Sequence, residues 1–126
     1  MNDAVRVLDV FKILRPDECS RLVQTLVFSG SEHDLRDGFV HLSTAAQAPG
    51  TAAKHFAQDG DLWIASLRTA VLGESLHWEE SRGGALFPHL YREIRASDVG
   101  WIRPLPRDAE GRHAFPEGVA WGEPDA

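Results

Sequence analysis

Eight residues, Asp37-Gly38-Phe39-Val40-His41-Leu42-Ser43-Thr44, set the scale on which this chain can fold. They compress a turn, a strand and a helix start into one stretch, so the elements around them must be short. Asp37-Gly38 is a turn dipeptide, because glycine takes positive φ without steric cost. From Phe39 to Ser43 the side chains alternate. Phe39, His41 and Ser43 therefore share one face, and Val40 and Leu42 the other. Thr44 suits a helix N-cap, and Gln47 three residues on completes a capping box. An imidazole and a hydroxyl delivered to one face beside a helix start form a candidate place for an anionic ligand.

The flanking segments read as equally short. Val5 to Leu14 reads as a first strand. Arg15-Pro16-Asp17-Glu18 opens a helix, with proline in its first turn and two acids favourable to the dipole. Cys19, Leu22, Val23, Leu26 and Val27 have the spacing of one buried helical face, and Gly30 is the expected stop. Ser31 to Asp37 reads as a polar loop or a single turn. The alanine-rich segment up to Ala57 is interrupted by Pro49-Gly50, which implies two short helices, or one that is kinked or starts late. Thr51 is a second possible cap. Strands are predicted at Asp61–Leu67, Leu76–Glu79, His89–Ile94 and Val99–Leu105, with a turn or short helix at Arg68–Gly73 and a flexible loop through Gly83-Gly84. Strands mixed irregularly with few short helices predict an α+β fold. Residues 1–106 would form one domain. Residues 107–126 would form an irregular tail, with Phe115, Val119 and Trp121 folded back onto it.

At 126 residues the chain can bury a core without disulfides or metal. Its one cysteine, Cys19, excludes an internal disulfide, and its place on the apolar stripe predicts an inert core thiol. A formal net charge of −6 argues against broad nucleic-acid binding but leaves room for a small anion held by local arginines. No apolar run approaches a membrane span and no leader is evident, so a cytoplasmic location is expected. Neither GxGxxG nor GxxxxGK[ST] occurs, which argues against a Rossmann fingerprint and removes the P-loop.

Six histidines are scattered along the chain without HExxH spacing. The one metal set to consider is His41, His89 and Glu79, and no metal is expected. Ser43 could act as a nucleophile with His41 or His89 as base. It lacks a GxSxG elbow, and a serine before a helix more commonly caps it. Glu79 reads either as a solvated strand-end acid or as a carboxylate that stabilises positive charge on a sugar or binds ribose hydroxyls. His89 and Tyr91 share a strand face, where Tyr91 could stack on a flat ring or serve as a core aromatic. Arg82, Arg92 and Arg95 could hold a phosphate or lie solvated.

Two segments carry a resemblance. One is Asp37 to Thr44 with Gln47; the other is Trp78-Glu79 with Ser81, Gly83, Gly84 and Phe87-Pro88-His89-Leu90-Tyr91. Over about Val7 to Pro104 the chain resembles a small bacterial family known as domain of unknown function 952. The tail beyond Arg107 exceeds that family's core, and Pro49-Gly50 interrupts a helix expected to be regular. The resemblance implies an ADP-ribosyltransferase-like fold, a split and mostly antiparallel β-core around a cleft. It implies that His41 and Ser43 match a His-x-Ser pattern that binds ribose. It also implies a later acid, Glu79 or alternatively Glu93, that stabilises an oxocarbenium-like transition state as nicotinamide leaves.

On this basis His41, Ser43 and Glu79 are the catalytic candidates, and His41, Ser43, Thr44, His89, Tyr91 and Arg82 the binding candidates. NAD would be a substrate and no cofactor would be required. The leading expectation is a protein that binds NAD or an ADP-ribose-like nucleotide, or an ADP-ribosyl transferase. The alternatives are a catalytically silent module that binds a metabolite or peptide, and a small hydrolase.

Overall fold

A computed structural model describes residues 7–124. Its strands are β1 (Asp9–Leu14), β2 (Val27–Phe28), β3 (Val40–His41), β4 (Leu62–Arg68), β5 (Leu76–Glu80), β6 (Leu86–Leu90), β7 (Ile94–Arg95) and β8 (Val99–Leu105). Its helices are α1 (Pro16–Thr25), α2 (Glu32–Asp37), α3 (Ala48–His55) and α4 (Thr69–Leu72). The fold is α+β, and every strand pairing among the described residues is antiparallel. No helix among them is long and apolar enough to cross a membrane.

The apolar run in β4 explains its central place. Leu62, Ile64, Ala65 and Leu67 are all buried, which requires cover on both faces, and β4 lies between β1 and β8. Pro104, which has no N–H for a ladder, sits on the edge strand β8. A second sheet runs β3-β6-β5, and β2 pairs with β7 in a two-stranded ribbon. The two larger sheets meet at one point, where the Phe11 N–H donates to Ser43 O at 2.8 Å and the Ser43 N–H to Phe11 O at 2.9 Å. Beyond that bridge β1 and β3 part. In the opening, Lys12 Nζ donates to the His41 carbonyl at 3.1 Å.

Alternation along β1 feeds two cores. Val10 and Leu14 pack with Leu22, Phe28, Val40 and Leu90. Phe11 and Ile13 pack with Ala52, Leu62, Ile64 and Leu105. The C-terminal residues Phe115, Val119 and Trp121 pack against this second core, with the Trp121 ring edge-on to Phe11 at 4.8 Å.

Several boundaries differ from expectation, each for a local reason. Val5 and Arg6 of the expected first strand lie outside the described residues, while Val7 and Leu8 precede β1 and are exposed. In α1 only part of the apolar stripe is buried. Val23 and Leu26 are each 60% exposed, and the helix ends at Leu26 (φ 67°) rather than Gly30. The chain must turn there because the Ala96 N–H, next to β7, donates to Leu26 O at 2.9 Å and β2 follows at once.

The expected polar loop at Ser31–Asp37 is the helix α2. Ser31 and Asp34 form a capping box in which aspartate does the work usually given to glutamate. Thr44 and Gln47 do exchange the two box hydrogen bonds, at 3.2 and 3.1 Å, but across the turn that precedes α3. That helix is single and starts late, with Pro49 in its first turn and Thr51 inside it rather than capping it. The strand expected at His89–Ile94 starts at Leu86 and ends at Leu90. The chain then bends so that Ile94 can pair with Phe28, which takes Glu93 off the face of His89.

Candidate functional site

A cavity of about 160 Å³ opens where β1 and β3 part. His41 and Ser43 reach it from β3 and the residues after it, and His89 reaches it from β6, where it pairs with His41 across the ladder. Arg82 and Ser81 come from the turn between β5 and β6, and Thr51 and His55 from α3. Phe11, Phe56 and Phe87 give the wall apolar patches. Thr44, Glu79 and Tyr91 do not line it.

The two central histidines are held differently. His89 is 5% exposed, and its Nδ1 lies 2.7 Å from Glu79 Oε1. A carboxylate only accepts, so Nδ1 carries a proton, and the neutral tautomer that fits this contact has its lone pair on Nε2. No hydrogen bond among the described residues reaches that Nε2. The Tyr91 hydroxyl also donates to Glu79, at 2.8 Å. The hydrogen bonds from His89 and then Tyr91 hold the Glu79 carboxyl below its usual range, and the same contact raises the Tyr91 phenol. Phe39 stacks on His89 with ring centroids 4.1 Å apart. Phe39, His41 and Ser43 thus share the face that alternation predicts, and Glu79 and Tyr91 anchor His89 from outside the cavity.

His41 has both ring nitrogens engaged, Nδ1 with Asp34 Oδ1 at 2.6 Å and Nε2 with Asp37 Oδ2 at 2.9 Å. His33 Nε2 reaches the same Asp37 oxygen at 3.1 Å, and the ligand atoms of His33, Asp37 and His41 lie within 4.8 Å of one another. Asp34 is 2% exposed. Burial alone would raise its carboxyl. The His41 hydrogen bond, the Lys12 ammonium at 2.9 Å and the backbone N–H groups of Ser31 and His41 outweigh that and hold it well below the carboxylate range.

Ser43 Oγ meets Thr51 Oγ1 at 2.9 Å, and no histidine ring nitrogen among the described residues hydrogen-bonds it. That is the environment of a buried structural hydroxyl, without the base that a nucleophile needs. The three arginines also separate. Arg92 is forked onto the buried Asp98 at 2.7 and 3.0 Å, and Arg95 reaches Glu93 at 3.5 Å. Arg82 makes no ion pair among the described residues, lies over the Phe87 ring at 4.9 Å and lines the cavity. Burial, then Arg82 and His33, push the His55 imidazole below its ordinary value.

Lys12, Asp34, His33 and His55 were missed as site residues. Lys12 carried a signal, a charge inside the run Val10-Phe11-Lys12-Ile13-Leu14. His33, Asp37 and His41 carried another, recurring at four-residue intervals.

Residues 13–102 match the family model described as protein of unknown function (DUF952). The chain belongs to this family. Among solved structures, this DUF952 chain is similar to the crystal structure of protein CC0527 from Caulobacter crescentus. The two share 43% identity over 84% of this chain and 93% of that one, with a TM-score of 0.79. The solution NMR structure of CC0527 is 44% identical over 82% of this chain and 90% of that one, with a TM-score of 0.74. No curated protein matches the DUF952 chain.

Proposed function

We propose that this DUF952 protein binds a nucleotide of the NAD or ADP-ribose type in the cavity, on an ADP-ribosyltransferase-like scaffold. The observation that carries the reading is that two groups with no hydrogen bond or ion pair among the described residues, His89 Nε2 and the Arg82 guanidinium, line the same cavity. A guanidinium takes a phosphate through two parallel N–H donors, and an imidazole lone pair accepts from a ribose hydroxyl. The lining also holds Lys12, Arg15 and four histidines against a single acid, Asp34, so the cavity favours anions in a chain of net charge −6.

Size narrows the ligand. The cavity's 160 Å³ is below the roughly 300–1,000 Å³ of pockets that enclose a drug-sized molecule. A dinucleotide therefore enters by one end, with its remainder outside. Binding is better supported than transfer. In this reading Glu79 is a positioning residue that orients His89, because it does not line the cavity, where a carboxylate stabilising an oxocarbenium would have to sit. Where chemistry follows, His89 is the general base.

The test is a thermal-shift and titration series with NAD, ADP-ribose and ribose 5-phosphate at millimolar concentration. ADP-ribose should raise the melting temperature of the native chain, and Arg82→Ala should weaken its binding by about tenfold or more, the loss of a charge-assisted pair. No shift with any of the three, or an equal shift in Arg82→Ala, would contradict the proposal.

A further inference from the structure

His41 has more acceptors around it than it has protons to give. A neutral imidazole carries one N–H. With Nδ1–H committed to the buried Asp34 at 2.6 Å, Nε2 presents its lone pair to Asp37 Oδ2 at 2.9 Å. A second imidazole nitrogen, His33 Nε2, approaches the same oxygen at 3.1 Å. Two imidazole nitrogens and a carboxylate oxygen thus converge on one point, the arrangement that can hold a cation, with all three ligand atoms within 4.8 Å of one another.

The geometry points to the cation, and we propose that His33 Nε2, Asp37 Oδ2 and His41 Nε2 bind a divalent transition-metal ion, zinc by ligand type. Two imidazoles and a carboxylate suit zinc and its neighbours. Ligands at about 2.0–2.2 Å from a tetrahedral zinc stand roughly 3.3 Å apart. The two nitrogen–oxygen separations, 2.9 and 3.1 Å, reach that value by opening roughly a few tenths of an ångström, and the two imidazole nitrogens, within 4.8 Å of each other, close toward it.

A second observation is independent of those three atoms. Asp34, 2% exposed, fixes the far nitrogen of His41, as the outer carboxylate of a carboxylate–histidine–metal arrangement does. The local fold explains the convergence. Residues four apart on α2 bring His33 and Asp37 to one face, and Gly38 at φ 88° turns the chain so that β3 returns His41 to them.

Three protein ligands leave a fourth tetrahedral position for water or a ligand oxygen. His33 and His41 both line the cavity, and the His41 ring is 5.6 Å from that of His89. A metal here would add a Lewis acid beside the cavity that Arg82 also lines. Metal binding does not depend on the nucleotide reading, and either can fail without the other.

Equilibrium dialysis of the full chain against micromolar zinc, with cobalt(II) absorption as an optical reporter of coordination, tests the site. One equivalent should be retained, and His33→Gln and Asp37→Asn should each weaken it by about tenfold or more. His77→Gln, at an exposed histidine that does not line the cavity, should leave binding unchanged. Melting curves of metal-free His33→Gln and Asp37→Asn verify that each folds; both positions are exposed. Failure to retain zinc at micromolar free concentration, or retention that survives both substitutions, would overturn the proposal. ADP-ribose binding with no zinc retained would leave the nucleotide reading standing and remove this one.

Discussion

Lys12 and Asp34 hold the cavity wall together. Both are almost fully buried, 2.9 Å apart, and Asp34 also receives His41 and two backbone N–H groups. Removing one member of such a pair leaves an uncompensated buried charge, so Lys12→Met should cost about 3–5 kcal/mol in urea denaturation at neutral pH. The pH dependence has a definite sign. The folded carboxyl of Asp34 is depressed below its unfolded value of about 3.9, so its stabilisation is present above that pH and fades as pH falls below it. Lys12→Met removes part of the depression. The stability gap between the two proteins should therefore be widest at neutral pH and narrow as pH falls through the higher folded value that Asp34 takes in Lys12→Met. A gap that stays constant while the Asp34 carboxyl of Lys12→Met, followed by NMR, takes up its proton would show that the ion pair is not its source.

Among the elements, β4, β5 and β8 lie close to the places where their residues put them. Burial explains this for β4, whose apolar run is almost wholly buried, whereas β5 and β8 are mostly half-buried or exposed and are bounded instead by the glycine, proline and charged residues around them. The misreadings fall at ends set by distant contacts. Leu26 takes a left-handed cap because β2 must turn toward β7, and nothing in its own identity announces that. Its exposed side chain gains little in exchange, so Leu26→Gly should stabilise the fold by about 0.5–1 kcal/mol, read from the denaturation midpoint. The docking of the C-terminal residues depends on another glycine. A Cβ at Gly122 would lie 2.0 Å from Ala46 O, and the Gly122 N–H donates to Ala45 O at 3.1 Å. Gly122→Ala should loosen that contact and speed proteolysis after Arg112. Equal cleavage rates in the two proteins would contradict the contact.

At the scale of the whole molecule, the site was half legible. The alternation of Phe39, His41 and Ser43, and the shared face of His89 and Tyr91, follow from strand geometry and needed no tertiary information. The gathering of His55 from α3, Arg82 from the β5–β6 turn and Lys12 from β1 did need it. Those residues are far apart in sequence, and only the parting of β1 from β3 brings them to one cavity. The same cause explains why Glu79 read as a cavity acid: strand spacing places it near His89 but does not tell which side of the ring it holds. In the proposed function, this cavity, with His89 within it, receives a nucleotide. The most direct measurement is the set of histidine ring proton resonances during titration with ADP-ribose. His89 and His55 should shift saturably and together, while His77 and His113, which do not line the cavity, should hold still. If His89 stays fixed while the solution contains millimolar ADP-ribose, or if all six histidines move alike, the account is contradicted.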